Sequence, residues 1–220
     1  MSARDEMKRL NPSSTQFKSL ADIIEGCMVE KPAIHVYDMA LGDYEFLLHK
    51  LRIVTYGDEY KIGLRCPYCG EQLETSAHLE SLVVKEFNID AFNKARTIQL
   101  PKSGKTIVLK FQTPRMLDEI DAKTKELKRK FKSAEISFDM LVLLESVIDS
   151  IDGEKYEQTK LETFINNLPA MDMAKIINSV DILNGLVGLD STLIVDCNKC
   201  GGEVRTSFRF GPEFFRPTNI

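Results

Sequence analysis

Two short stretches decide the fold, Cys66-Pro67-Tyr68-Cys69-Gly70 and, far downstream, Cys197-Asn198-Lys199-Cys200-Gly201. Each sets two thiols three positions apart in a tight turn and follows them with a glycine. Such a turn supplies two ligands of a tetrahedral metal site, and two turns supply four. Zn2+ held by four thiolates is a structural site, because no coordination position is left for a substrate. Gly70 and Gly201 take a positive φ without steric cost, which lets the chain fold back and turn amide N–H groups toward sulfur. Residues 60–65 and 72–78 around the first pair, and 193–196 and 203–210 around the second, read as strands. Each knuckle is therefore expected at the tip of a β-hairpin.

The spacing is unusual. Residues 70 to 196 separate the inner cysteines, against about 15–20 residues in a compact zinc ribbon. One shared zinc on Cys66, Cys69, Cys197 and Cys200 is the favoured reading. Three others stay open: two redox-active pairs, an iron–sulfur cluster, or two partial sites completed by His78, His35 or a second chain. A thioredoxin-like redox pair belongs at a strand-to-helix junction, whereas both pairs here precede strand-like segments. The fifth cysteine, Cys27, stands outside the pattern.

Composition bounds the rest. The 220 residues are 43% hydrophobic and 28% charged, which suits a globular chain and argues against disorder or a fibre. A net charge of −4 gives no general attraction to phosphate backbones. No secretory apolar stretch follows the charged opening, and no run is long enough for a membrane helix, so a reducing cytoplasm without membrane insertion is expected. There, paired Cys-x-x-Cys motifs point to metal rather than disulfides. No Ser or Cys has an identifiable triad partner, and Gly104-Lys105 lacks the earlier glycine of a phosphate loop, so no enzyme signature is found.

Along the chain, Phe17, Leu20, Ile24, Cys27 and Met28 fall at helical steps within residues 15–29. Breakers on both sides allow this helix either to stand apart as a docking element or to pack on its own core. A second helix is expected from an N-cap at Asp43 to a stop at Gly57. Residues 97–100 and 106–112 read as a second hairpin turning at Gly104. Thr113-Pro114 starts a charged helix to about Lys132, whose early acids, Asp118 among them, and late bases fit a solvated face. Residues 138–151, 159–168 and 170–186 read as three further helices. Four phenylalanines crowd the C-terminal end, serving either the chain's own core or a partner.

These residues resemble a known family. Leu41 to Arg52, Tyr56 to Tyr60, both knuckles, and the ending with Phe208, Gly211, Phe214, Phe215 and Pro217 are similar to the baseplate hub assembly proteins of T-even-type tailed phages, over about residues 20 to 217. The resemblance implies a non-enzymatic viral protein, assembly chaperone or hub component, acting in the cytoplasm of an infected bacterium or in the virion baseplate. Its implied partners are other hub or tail proteins. Carried over residue by residue are only the four cysteines.

The expected architecture is α+β: a split zinc-ribbon-like β unit, residues 58–82 with 190–217, interrupted by a β-hairpin and helical insertion and joined by an N-terminal helix. The division is 1–40 N-terminal helical segment, 41–82 helix plus first knuckle, 83–189 insertion, and 190–220 second knuckle and aromatic tail. Phe17, Leu20, Ile24, Phe214 and Phe215 are the candidate partner-binding residues. The competing reading is a nucleic-acid-binding zinc-ribbon module using Lys123 to Lys132 with Arg205 and Arg209.

Overall fold

The structure, a computed structural model, describes residues 1–2, 4–5, 7, 15–132, 137–207 and 214. In chain order, helix α1 (Gln16–Cys27) and α2 (Leu41–Tyr56) precede a hairpin of β1 (Glu59–Arg65) and β2 (Gln72–His78). Helix α3 (Ile89–Arg96), β3 (Thr97–Gln99), β4 (Thr106–Leu109), α4 (Pro114–Lys130), α5 (Phe138–Val147), β5 (Ile148–Ile151), α6 (Gln158–Asn166) and α7 (Ala170–Asn184) follow. A second hairpin, β6 (Thr192–Asp196) and β7 (Glu203–Ser207), comes last. The architecture is mixed α and β with small sheets, as expected. The two knuckle hairpins are separate two-stranded antiparallel sheets, not one ribbon sheet.

Residues 85 to 188 form an excursion whose two ends meet. Val84 and Leu189 form an antiparallel bridge, Lys85 N donates to Gly188 O at 2.9 Å, and Asp190 N donates to Val83 O at 2.8 Å. Beyond that neck the excursion builds its own core. Ile98, Ile107, Leu109, Leu144, Val147, Ile151, Ile176 and Leu183 are all buried in one cluster. Its sheet runs β3-β4-β5, with Ile107 opposite Ile151 and a register shift between Val108 and Leu109.

The third strand corrects the expected helix over 138–151, because α5 ends at Val147 and the chain turns to strand at Ile148. Both elements bury apolar side chains, so the run Leu141 to Ile151 carries no period that separates them. The free edge of β4 decides. Beyond β5, Asp152 and Gly153 take positive φ of 51° and 83°, and Asp152 N donates to Thr106 O at 2.8 Å.

A second core holds the N-terminal elements: Ala21, Ile23 and Ile24 from α1, Tyr44, Leu48 and Leu51 from α2, Leu79 after the hairpin, and Phe214 from the tail. Helix α1 thus packs on the body rather than apart from it. Its start is not capped by Thr15. Asp118 of α4, instead of facing solvent, is buried and accepts from Phe17 N (3.3 Å), Lys18 N (3.0 Å) and the Tyr37 hydroxyl (3.0 Å). A carboxylate over exposed helix N–H groups satisfies donors that the first turn leaves open and complements the dipole. Burial, with the Asp118 hydrogen bond and charge adding to it, pushes the Tyr37 phenol up to about 12.

Helix α2 starts at Leu41 after Ala40, so Asp43 lies in the first turn and is not the N-cap. The early start follows from packing: a Cβ on Gly42 would stand 2.6 Å from the Val187 carbonyl oxygen, and one on Gly188, at φ 88°, 2.6 Å from that of Gly42. Only two glycines let these backbones approach so closely. The Thr113 cap of α4 is as expected, its hydroxyl accepting from Met116 N at 3.1 Å.

Two buried titratable groups contribute to the response to acid. Burial holds the His49 imidazole below its usual pKa, while one ring nitrogen lies 2.7 Å from the Leu79 carbonyl. Burial works against ionised Asp172, but donation from Lys102 N and Ser103 N, each at 2.8 Å, holds its carboxyl below the usual range. Both folded pKa values lie below the unfolded ones, so both contributions are complete at neutral pH and shrink on acidification. His49 acts below about pH 6.5 and Asp172 below about pH 4, the unfolded values of these groups. Denaturation of wild type and His49→Asn at pH 7.5 and 5.5 checks the first stage: the stability lost between the two pH values should be smaller in the variant. An equal loss would exclude His49.

Candidate metal centre

Each knuckle closes by the same main-chain bonds. Gly70 N donates to Cys66 O at 3.0 Å and Cys66 N to Glu71 O at 2.8 Å. In the second, Gly201 N donates to Cys197 O at 2.8 Å and Cys197 N to Gly202 O at 2.9 Å. Gly70 and Gly201 have φ of 74° and 69°, the conformation their type was expected to supply.

The two turns face each other. All four sulfurs lie within 4.8 Å of one another, although the pairs are more than a hundred residues apart in the chain. Sγ of Cys66 is 3.7 Å from that of Cys200, and Sγ of Cys69 is 3.6 Å from that of Cys197. A tetrahedron with metal–sulfur bonds of about 2.3 Å has edges of about 3.8 Å. Both separations fit that shell and are far too long for disulfides of about 2.05 Å. Both of these approaches run between knuckles, so the two pairs meet at one point, as a shared ion requires.

Cys66 and Cys197 are buried, whereas Cys69 and Cys200 are exposed. Beneath them Leu73 and Val204 complete a small buried core, with Leu64 and Val195 packed against it. Lys199 Nζ reaches Glu71 Oε2 at 2.8 Å, tying the second knuckle to the first. Tyr68 covers Gly202, where a Cβ would meet its ring at 2.6 Å.

Amides converge on the sulfurs. Those of Cys200 and Lys199 donate to Cys197 and bring its thiol down to about 7. The Glu71 amide likewise favours the Cys69 thiolate, but desolvation and the neighbouring sulfurs, Cys197 foremost, outweigh it and push that thiol up to about 12. Cys200 is raised too, despite the Gly202 amide. Four clustered thiols cannot all ionise against one another. A dication removes that penalty, and metal binding displaces the protons.

Neither His78 nor His35 belongs to the four-cysteine group. His78 Nδ1 lies 2.7 Å from Asp58 Oδ2, and His35 Nε2 lies 3.3 Å from Glu25 Oε2. Cys27 is exposed at the end of α1.

The other candidate residues fall elsewhere. Ile24 and Phe214 are buried, and Phe17 and Leu20 are half-buried against the same cluster, so these side chains pack on the chain's own core. Phe215 lies outside the described residues. Of the basic candidates, Lys123, Lys125, Lys128 and Lys130 pair with Glu145, Asp121, Asp139 and Glu126, and Arg205 with Glu203. Arg209 lies outside the described residues. Sequence reasoning missed Arg52, buried on α2, whose Nε and Nη1 donate to Phe214 O (3.0 Å) and Gly57 O (2.8 Å). No helix among the described residues is long and apolar enough to cross a membrane.

Fold and site together define a small mixed α and β protein in which two hairpins meet at a four-thiol cluster with the geometry of a closed metal site. Neither a curated protein nor a solved structure matches the chain. The family does: residues 2–216 match the family described as T4 bacteriophage base plate protein, and the chain belongs to it. It is a T4-type phage baseplate protein.

Proposed function

We propose that this chain assists assembly of the baseplate hub by binding other hub or tail proteins, and that one Zn2+ on Cys66, Cys69, Cys197 and Cys200 serves only to hold its two hairpins together. Family membership across nearly the whole length carries the reading. The closed thiol shell supports a non-enzymatic role, since four protein ligands leave a zinc ion no site for substrate. The sulfur separations support one shared ion over two redox pairs. The ion-paired lysines and net charge of −4 speak against the nucleic-acid module.

On this reading the work is done in the infected bacterium's cytoplasm, and residues 83–189, the excursion with its neck, are an insertion into the hairpin unit. Affinity capture from infected cells, with mass spectrometry of purified particles, tests it. Hub or tail proteins should be recovered with the chain. Absence from particles would then identify an assembly chaperone, and presence at fixed copy number a hub component. Recovery of no tail protein would overturn the proposal.

A further inference from the structure

Among the described residues, strands β2 and β6 each have a pairing partner on one side only. Residues 73–78 and 193–196, in unbroken succession, line one cleft of about 520 Å3, while among the described residues neither β1 nor β7 contributes to it. Side chains of a strand alternate between faces, so an unbroken run along a cleft means that the main-chain edge faces it. The cleft is thus walled by two strand edges whose outward N–H and C=O groups form no ladder among the described residues. Such edges recruit another strand.

We propose that this cleft receives an extended segment of another baseplate protein, added between β2 and β6 to give a sheet in the order β1-β2-partner-β6-β7. The inference rests on the assembly reading above and names where the partner sits. Main-chain pairing is a recognition chemistry that only extended polypeptide offers, and alternate side chains give it specificity. Toward the protein the segment meets half-buried Ala77 and Val195, which calls for small or β-branched residues. Toward solvent it passes exposed Glu74 and Asp196, with Ser76 and Ile194 between, and among the described residues no Lys or Arg lines the cleft. The complementary segment carries Lys or Arg at those outward positions, and a phosphate backbone would be repelled. The knuckles bind the hairpins together at their tips, so the ion also holds the two edges at a fixed separation.

The test uses the zinc-loaded full chain, alone and co-purified with the baseplate proteins of its own phage, compared by amide hydrogen exchange. In the complex, amides within 73–78 and 193–196 should slow at least about tenfold, as paired strand amides do. Glu74→Lys with Asp196→Lys should weaken binding at least about tenfold, or about 1.4 kcal/mol, with zinc content and melting temperature unchanged. Protection elsewhere, with both edges exchanging as in the free chain, would overturn the strand site and leave the assembly reading standing. Slowing in the free chain that grows with its own concentration would identify a second copy as occupant and also overturn it. If no complex forms, both readings fall.

Discussion

Replacing Cys197 with Ser should remove the metal and most of the stability of the hairpin region together. A structural Zn2+ contributes on the order of 10 kcal/mol of apparent folding free energy, comparable to the whole stability of a typical domain, about 5–15 kcal/mol. Among the described residues, Leu73 and Val204 alone join the two buried cysteines in the core beneath the site, with Leu64 and Val195 packed against it. Tyr60, Ile62, Ala77 and Leu193 rest instead on the N-terminal core, so the knuckle ends of these two-stranded sheets have little beyond the ion to hold them. The expected loss is about 5 kcal/mol or more, with zinc falling below one ion per chain by native mass spectrometry. The excursion beyond Val84 and Leu189 has its own core and neck. Its helical signal should therefore persist while amides of β1, β2, β6 and β7 lose protection. A fully stable, zinc-replete Cys197→Ser variant would contradict the shared site.

The second large effect is expected at Arg52→Ala. Arg52 is fully buried, with its guanidinium 5.1 Å from the Tyr56 ring and 5.9 Å from that of Tyr60. Burial lowers its pKa, yet a guanidinium stays charged in proteins. Its hydrogen bonds to Gly57 O and Phe214 O join the end of α2 to Phe214, a link between residues 162 positions apart. Truncation leaves a cavity and strips two carbonyls of charged donors worth about 1.5–3 kcal/mol each. The loss should be about 3–5 kcal/mol in chemical denaturation. Arg52→Lys, which keeps the charge but not the fork, should recover only part of it. A loss under about 1 kcal/mol for the alanine variant would mean that this clamp is not structural.

The knuckles were legible because their information is local. Cysteine spacing, the following glycine and the flanking alternation each specify the turn without knowledge of the rest of the chain. Thr113-Pro114 was legible for the same reason. Helix α3 was not identified, although its signals are present: Asn88 caps it by accepting from Ala91 N at 2.9 Å, and Lys94 and Arg96 close it. Strand β5 was hidden in an apolar run that suits helix or strand equally, and the edge of β4 is visible only in the fold. Asp118 and Arg52 look like surface charges in sequence. What buries them is the arrival of α1 in one case and of Phe214 in the other, and no local pattern encodes either meeting. The aromatic tail admitted both self-packing and partner binding, and Phe214 takes the first role.

The central claim is that one ion joins two knuckles far apart in the chain. X-ray absorption at the zinc edge of the purified chain, with metal stoichiometry from the same sample, tests it most directly. One zinc per chain with four sulfurs at about 2.3 Å is the predicted result. Two ions per chain, or a shell of two sulfurs completed by nitrogen or oxygen, would contradict it.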